Sequence, residues 1–345
     1  MKTSHKQIWF GAVLSLALVI LLLKSTDFHA LSEAFRHANY YYCIPMIAIS
    51  LIGILIRAYR WKFIMAPLHR ASMSNLFSAT MVGFMAIDLL PARIGEVIRA
   101  HLIGEKEGIP KSAAFGTIVV ERLFDIFTVL LILAWILVIV SLPGSRIQGV
   151  YAKALRGAAL VFFPFFVVLI CFLILIMRKT GLAISWARTC LRPLPESWRN
   201  KILSMLNSFA SGLGAIRMGM HLVPIIFYSL IMWGLFGLGN GLMLKAFQID
   251  LPVYAFFYLL VVQAVAVAVP ASPGFVGTYH AAVVAGLAAF QIPKEVALSF
   301  AILSHFLIFI PVILYGLVLL WKDHLSLSTL KTKADDGQNG IPKTK

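Results

Sequence analysis

The stretch Pro91–Arg99 (Pro-Ala-Arg-Ile-Gly-Glu-Val-Ile-Arg) interrupts an apolar chain with a proline, a glycine and three charged side chains. It follows the apolar run Leu76–Leu90 and precedes a long apolar run that starts near Ala113. Inside a membrane, broken backbone and charge are tolerated only where protein or a water-filled cavity surrounds them. A second such break, Pro273–His280, lies near the other end of the chain. We therefore predict that the two breaks form the working centre of a membrane protein.

The composition is that of a helical membrane protein. Of the 345 residues, 60% are hydrophobic and 13% are charged, with a mean hydropathy of +0.90, whereas soluble domains carry about 25% charged residues. Several uncharged runs reach the length of about 20 residues that a membrane-spanning helix needs. The net charge of +16 fits the Lys/Arg excess of cytoplasmic loops and would also suit anionic headgroups. No nucleic-acid partner and no sizeable soluble catalytic domain are expected.

The apolar runs and basic loops predict the topology. Full crossings are expected at Ile8–Leu23, Tyr40–Ile56, Ala113–Val140, Ala158–Met177, Leu222–Leu244 and Val296–Trp321. The run Leu76–Leu90 is short for a crossing. The basic segments 57–70 and 178–201 both lie on the cytoplasmic side only if residues 76–108 enter the membrane and return to the same side. The pair 251–290 would form a matching hairpin from the other side. We predict an all-α polytopic fold with about six full crossings, two re-entrant hairpins and both termini in the cytoplasm.

An internal repeat accompanies this topology. Gly108–Lys111 matches Gln291–Lys294 at an offset of 183, and Pro91 and Gly95 match the second break at an offset of 182. The two copies of the repeat cover about residues 40–140 and 222–321. An odd number of crossings separates equivalent points in the two copies, so the repeat is predicted to be inverted, as in many transporters. Chance similarity of two Pro/Gly breaks is the alternative. The predicted organisation is a single membrane domain over 1–325, with surface helices at 180–220, and a disordered cytoplasmic tail over 326–345.

The first break supplies the principal candidate binding residues. If residues 93–99 begin a helix, Arg93, Glu96 and Arg99 share one face with a net positive charge, and arginine matches phosphate bidentately. The alternative is a cytoplasmic loop with ion pairs on the helix surface. Glu121 and Asp125, four residues apart and with Arg122 between them, are expected either to orient these arginines or to relay a proton. Snorkelling to the interface is the alternative for this trio.

Two further sets of candidates accompany the first break. The second break offers small, hydroxyl-bearing and titratable side chains: Ser272, Gly274, Gly277, Thr278, Tyr279 and His280. Tyr279 and His280 would contact a headgroup or a proton, with a packed interhelical histidine as the alternative for His280; His305 is expected to be packed and hydrogen-bonded. The basic residues Arg57, Arg60 and Lys62 are predicted to form a cytoplasmic rim that anchors or guides lipid headgroups. No cofactor, metal site or signature of an ATP-driven pump is predicted.

These residues together resemble a known family. Pro91–Glu96 with Glu121, Arg122 and Asp125, and later Pro270–Thr278, are similar to the flippase-like transmembrane family, the membrane region of bacterial lysylphosphatidylglycerol synthases and their stand-alone relatives. The resemblance covers about residues 8–321. It implies movement of lipid between leaflets, and stand-alone relatives are similar to proposed carriers of polyprenyl-phosphate sugars and hopanoids. The 345 residues hold no soluble synthase domain, so transfer of lysine is not expected.

The sequence thus predicts a flippase-like transporter of an anionic phospholipid or a polyprenyl-phosphate-linked lipid in the bacterial inner membrane. The expected partners are membrane lipids and a separate lipid-modifying enzyme. The alternatives are an intramembrane lipid-headgroup transferase and a non-transporting membrane partner of a glycosyltransferase. Against the first alternative, the sequence offers no tight cluster of aspartate and histidine.

Overall fold

The structure, a computed structural model, describes residues 5–24, 26–90, 93–141, 180–192, 222–268 and 273–323, together with single positions between 147 and 203. The regular secondary structure of these ranges is helical, and they contain no β-strand. The helices are α1 (His5–Lys24), α2 (Phe28–His37), α3 (Cys43–Met65), α4 (Met73–Leu89), α5 (Gly95–Glu107), α6 (Lys111–Ser141), α7 (Thr180–Cys190), α8 (Leu222–Ala246), α9 (Val253–Ala268), α10 (Thr278–Ala288) and α11 (Lys294–Lys322).

Within the part of the chain that the structure describes, four helices are long and apolar enough to cross a membrane: α3 with the short turn before it, α6, α8 and α11. The pair formed by α1 and α2, bent by 90°, makes a fifth candidate. The prediction of an all-α polytopic membrane protein is confirmed. The predicted crossing at 158–177 and the tail at 326–345 lie outside the described residues, apart from single positions. The total of six crossings therefore stays a prediction.

The two apolar helices next to the breaks are shorter than a full span. Helix α4 has 17 residues and α9 has 16, whereas a helix needs about 20 residues to cross the hydrocarbon core. This length agrees with the proposed hairpins. Their re-entrant course in a membrane stays a prediction.

Two glycines bring α4 and α5 into backbone contact. A Cβ atom on Gly83 would lie 2.8 Å from the Cβ of Arg99, and one on Gly95 would lie 2.5 Å from the Ile87 amide nitrogen. Any larger side chain at these positions would push the helices apart, since close helix approach in membranes depends on small residues. This contact holds Arg99 against α4.

The first break differs from its prediction at one residue. Helix α5 begins at Gly95, and Arg93 has a φ of 54°. A right-handed helix requires negative φ, so Arg93 stands outside the helix. The prediction that Arg93 shares a helical face with Glu96 and Arg99 is therefore wrong, and Arg93 projects from the broken backbone.

The second break contains three residues with unusual backbone conformations. Gly274, Phe275 and Gly277 have φ values of 67°, 56° and 90°, and α10 begins at the next residue, Thr278. A Cβ atom on Gly277 would lie 2.6 Å from the Ser15 carbonyl oxygen. The first helix therefore packs directly against this break.

The two breaks correspond in local conformation. Arg93 and Phe275, which are 182 residues apart, both have left-handed φ values. Gly108, directly after α5, and Gln291, three residues after the end of α10, are 183 residues apart and share that conformation. The order of helices also agrees, since α3–α6 and α8–α11 each run through a long, a short, a short and a long helix. The opposite membrane orientation of the two units stays a prediction.

The apolar interior is divided between the two halves. One cluster of buried side chains, which includes Trp61 and Met85, joins mainly α3–α6, and another, which includes Leu259 and Phe300, joins mainly α8–α11. The breaks connect the halves, because the Asp88 carbonyl oxygen at the end of α4 lies 3.4 Å from the Cβ position of Gly274. The end of α4 therefore contacts the second break.

Polar contacts fix the far end of α5. Glu107 accepts hydrogen bonds from the Asn75 amide at 2.7 Å and the Ser72 backbone N–H at 2.9 Å, and its other oxygen lies 3.0 Å from His69 Nε2. Burial acts to raise the pKa of Glu107, but these hydrogen bonds outweigh it and lower the pKa below its ordinary value. Next to it, Lys106 pairs with Asp323 at 2.5 Å. The hairpin is therefore tied both to the start of α4 and to the end of α11.

Candidate functional site: a buried arginine cluster

Five arginines and three carboxylates meet at the first break, and we call them the arginine cluster. They come from α3, from the break itself, from α5 and from α6: Arg57, Arg60, Arg93, Glu96, Arg99, Glu121, Arg122 and Asp125. The carboxylates are outnumbered, so the cluster carries two positive charges in excess. Charged groups in an apolar surrounding are expensive unless they are paired.

Glu121 is the centre of the cluster. Its side chain is completely buried, and it accepts a bidentate pair of hydrogen bonds from Arg99 at 3.0 and 2.8 Å. It also accepts from Arg122 at 2.7 Å and from Arg57 at 3.2 Å. One carboxylate on α6 therefore fixes guanidinium groups from three helices.

Asp125 lies one helical turn further along α6 and joins the same cluster to α8. It pairs with Arg60 at 2.7 Å, with Arg57 at 2.9 Å and with Arg122 at 3.4 Å. Its other contact is the Trp233 indole N–H, at 3.3 Å. Arg60 in turn donates a hydrogen bond to Ser229 Oγ at 3.0 Å. The cluster thus links both halves of the chain.

Aromatic rings hold the guanidinium groups in place. Arg99 lies over the Trp61 ring at 3.8 Å from its centroid, and Trp61 donates its indole N–H to Thr117 Oγ1 at 2.8 Å. Arg57 and Arg122 lie over the Phe84 ring at 4.7 and 5.7 Å. Cation–π contacts of this kind stabilise a desolvated cation. The orientation of these arginines is therefore set before any ligand arrives.

The cluster opens at one end. The side chains of Glu121 and Arg60 are 0% exposed, whereas those of Arg122 and Glu96 are 23% and 20% exposed. The nearest atoms of Arg122 and Glu96 are 3.8 Å apart, too far for a hydrogen bond. Arg93 lies beside them, partly buried, and no hydrogen bond joins its guanidinium to any residue that the structure describes. This end, formed by Arg93, Glu96 and Arg122, is where a ligand would reach the cluster.

Two residues of the predicted rim lie elsewhere. Arg57 and Arg60 are buried, at 6% and 0% exposure, so their placement at an exposed rim is wrong. The reason is pairing: buried carboxylates on α6 compensate both charges. Lys62, the third residue of that set, is exposed. Arg99 also differs in function from its prediction, because both of its terminal nitrogens are bound by Glu121.

The predicted residues of the second break form a separate polar network. Tyr279 Oη lies 3.1 Å from Gln263 Nε2 and 3.2 Å from Ser304 Oγ, and Gln263 exchanges two amide hydrogen bonds with Asn240. Thr278 Oγ1 donates to the Phe275 carbonyl oxygen at 3.2 Å. These contacts stabilise the second break. Ser272 lies outside the described residues.

The expectation for His305 is confirmed. Its Nε2 lies 2.7 Å from the Gly274 carbonyl oxygen, so the histidine is packed and hydrogen-bonded. The His280 and His305 rings have centroids 4.9 Å apart. Within the described ranges, no group of three or more His, Cys, Asp or Glu side chains has the arrangement of a metal site.

Sequence reasoning missed the aromatic and hydroxyl supports of the cluster: Trp61, Phe84, Thr117, Ser229 and Trp233. These residues are unremarkable in an apolar sequence. A usable signal existed only for Arg57 and Arg60, because two arginines one helical turn apart in an apolar helix need buried acidic partners. Glu121 and Asp125, one turn apart in another apolar helix, are the partners that complement them.

Known proteins share this architecture. The sequence profile of the family described as "Lysylphosphatidylglycerol synthase TM region" matches residues 8–316. A UPF0104 membrane protein of Methanocaldococcus jannaschii is 22% identical over 86% of this chain and 89% of its own length. A protein of Haloferax volcanii named glycosyltransferase AglD is 25% identical over 74% of this chain but only 45% of its own length. No solved structure is significantly similar to the chain.

Proposed function

We propose that this chain, which belongs to the family of the lysylphosphatidylglycerol synthase TM region, moves a lipid with an anionic headgroup between the two leaflets of a membrane. In this proposal the arginine cluster holds the headgroup phosphate. The acyl chains stay in the bilayer, so only the headgroup needs a polar path.

The observation that carries the proposal is the open end of the cluster. Arg93, a partly buried cationic side chain, stands on broken backbone with no hydrogen-bond partner among the described residues. Leaving such a cation without an acceptor is costly. A phosphate group would supply the missing negative charge, and the planar guanidinium matches it bidentately. The neighbouring arginines are oriented by Glu121 and Asp125, which is the function predicted for these carboxylates.

The two breaks supply the second line of support. Short helices flank both of them, and the end of α4 contacts Gly274. Irregular backbone at membrane depth is characteristic of transporters in which broken helices meet near the midplane. In the proposal the first break carries the phosphate site, and the loop from Gly274 to Thr278 closes the other end of the path.

The proposed location is the bacterial inner membrane, with both termini and the exposed basic residues Lys62 and Arg70 in the cytoplasm. This orientation follows the positive-inside rule. A separate lipid-modifying enzyme is the proposed partner, since the family is described by the membrane region of a lipid synthase.

A second candidate function is suggested by one relative. The Haloferax volcanii protein is named a glycosyltransferase and matches this chain over less than half of its own length. A membrane domain of this type could therefore serve as the membrane anchor or partner of a glycosyltransferase without moving lipid itself. This alternative predicts no lipid movement by the purified chain.

The deciding experiment compares Arg93→Ala with Arg70→Ala, which removes an exposed arginine outside the cluster. Each protein is reconstituted in liposomes that contain fluorescent phosphatidylglycerol or phosphatidic acid, and the movement of probe between leaflets is measured by quenching from outside. Lipids retained by each purified protein are identified by mass spectrometry. We expect Arg93→Ala to fold normally, lose lipid movement and lose the retained anionic lipid, whereas Arg70→Ala behaves as wild type. Movement by Arg93→Ala at the wild-type rate would remove the site assignment, and absence of movement in wild type would favour the partner function.

A further inference from the structure

We infer that the arginine cluster selects a phosphate group that carries two negative charges, as in a phosphate monoester or a diphosphate, over the singly charged phosphodiester of an ordinary phospholipid. This inference rests on the proposed function for the lipid nature of the ligand. The preference for two negative charges depends only on the residues of the arginine cluster.

The first step is the charge of the cluster. Arginine stays protonated in proteins, so all five guanidinium groups are positive. Glu121 and Asp125 each accept from two or more arginines and Glu96 faces Arg93 and Arg122, so all three carboxylates are taken as negative. The excess of two positive charges is therefore a minimum, because protonating any carboxylate would increase it. A ligand with one negative charge would leave a buried cation uncompensated.

The second step is the number of unused donors. At the open end, the Nε atoms of Arg93 and Arg122 are buried, and neither donates a hydrogen bond to a described residue. A phosphate monoester presents three strong terminal acceptor oxygens, one more than a phosphodiester offers. Charge and acceptor count thus favour the same ligand class.

The third step is the position of Glu96. It is the most weakly held carboxylate of the cluster, 3.8 Å from Arg122 Nε, and its Oε1 is buried without a hydrogen-bond donor. It lies at the open end, where the phosphate would enter, so its charge opposes a dianion most directly. The geometry therefore gives two neighbouring residues opposite effects: Arg93 attracts the ligand, and Glu96 weakens its binding.

The test measures the binding of three probes to the full chain in lipid nanodiscs. The probes are phosphatidic acid and phosphatidylglycerol with identical acyl chains, each doped into a neutral lipid, and inorganic phosphate added to the solution. The second pKa of a phosphate monoester is about 6, so the measurements are made at pH 8 and at pH 5. Retained lipid is counted by native mass spectrometry.

At pH 8 we expect phosphatidic acid to bind roughly tenfold or more tightly than phosphatidylglycerol, because a second charge near fixed guanidinium groups adds a large Coulomb term. The preference should shrink at pH 5, where the monoester has lost most of its second charge. Arg93→Gln should reduce the preference, and the near-isosteric Glu96→Gln should increase phosphatidic-acid affinity. The two opposite directions keep the test decisive even if one variant folds poorly.

Equal binding of the two lipids at pH 8, or a preference that is the same at both pH values, would overturn the inference. Inorganic phosphate that binds as tightly as phosphatidic acid would assign the dianion site to a soluble phosphate and overturn the lipid source. The inference and the proposed function fail separately. Lipid movement without a preference for the dianion rejects only the inference, whereas tight dianion binding without lipid movement rejects only the transport function.

Discussion

Replacement of Glu121 by glutamine should be the most destabilising single change in the arginine cluster. The glutamine side chain has nearly the same shape, so the change removes charge and leaves the packing intact. Four guanidinium groups lie within 4 Å of this carboxylate: those of Arg57, Arg60, Arg99 and Arg122, at 3.2, 3.6, 2.8 and 2.7 Å. In the variant the cluster has three positive charges in excess in place of two.

The magnitude follows from burial. Breaking a buried ion pair by removing one partner costs about 3–5 kcal/mol, and here the glutamine amide also directs N–H donors towards guanidinium donors. The matched control is Glu96→Gln, which removes the same charge from the open end of the cluster. Its ion pair is long and one-fifth exposed, so a loss of about 1 kcal/mol or less is expected.

The assay is the helical circular dichroism of each protein in mixed micelles as denaturing detergent is added. Glu121→Gln should unfold at a much lower detergent fraction than Glu96→Gln. The double variant Glu121→Gln with Arg99→Gln should recover part of the loss, because it removes the arginine that depends most on Glu121. Equal stabilities of the two single variants would refute the conclusion that Glu121 compensates the buried arginines.

Three further predictions concern the hairpin and the second half. Gly95→Ala should separate α4 from α5 and lower the unfolding midpoint strongly in the same assay, whereas Gly234→Ala, where no atom lies within 4 Å of the added Cβ, should be neutral. Gln263→Leu should cost about 1–3 kcal/mol because it leaves the buried Asn240 Oδ1 without its donor, and adding Asn240→Leu should recover part of this in a double-mutant cycle. Because the pKa of Glu107 is lowered in the folded protein, its carboxylate stabilises the fold at pH values above its unfolded pKa of about 4.3. This stabilisation is lost as the pH falls through the folded pKa. Glu107→Gln should therefore be less stable than wild type at pH 7 and lose less stability on acidification, as measured by detergent unfolding at each pH.

The sequence predicted those parts of the fold that depend on residues close together in the chain, such as apolar runs and Pro/Gly breaks. Long apolar runs identified the four long apolar helices among the described residues, and the Pro/Gly breaks located both interruptions between helices. The left-handed residue at the first break fell on Arg93, which sequence alone could not indicate, because arginine rarely adopts that conformation. Glycine, which adopts it readily, made the second break easier to predict.

Several residues of the arginine cluster were predicted from the sequence, but the burial of Arg57 was not. Arg99, Glu121, Arg122 and Asp125 were recognised because ionisable groups in apolar segments require partners. The burial of Arg57 was missed because its partners are on α6, more than sixty positions along the chain. The burial of an arginine depends on which helices pack beside it. A basic residue next to aromatic residues is also typical of an exposed membrane interface, so the sequence pattern did not distinguish the two placements.

Mutations at the two ends of the arginine cluster should have different effects on stability and on ligand binding. This difference makes the binding proposal testable. At the closed end, every carboxylate is shared among arginines of several helices, so mutations there should lower stability first and binding only as a result. At the open end, Arg93 is only partly buried, faces Glu96 and has no hydrogen-bond partner among the described residues, so its removal should change stability little. A purely structural ion-pair network would lose stability at both ends. A ligand site should lose binding without losing stability at Arg93, where the described residues supply no hydrogen-bond acceptor.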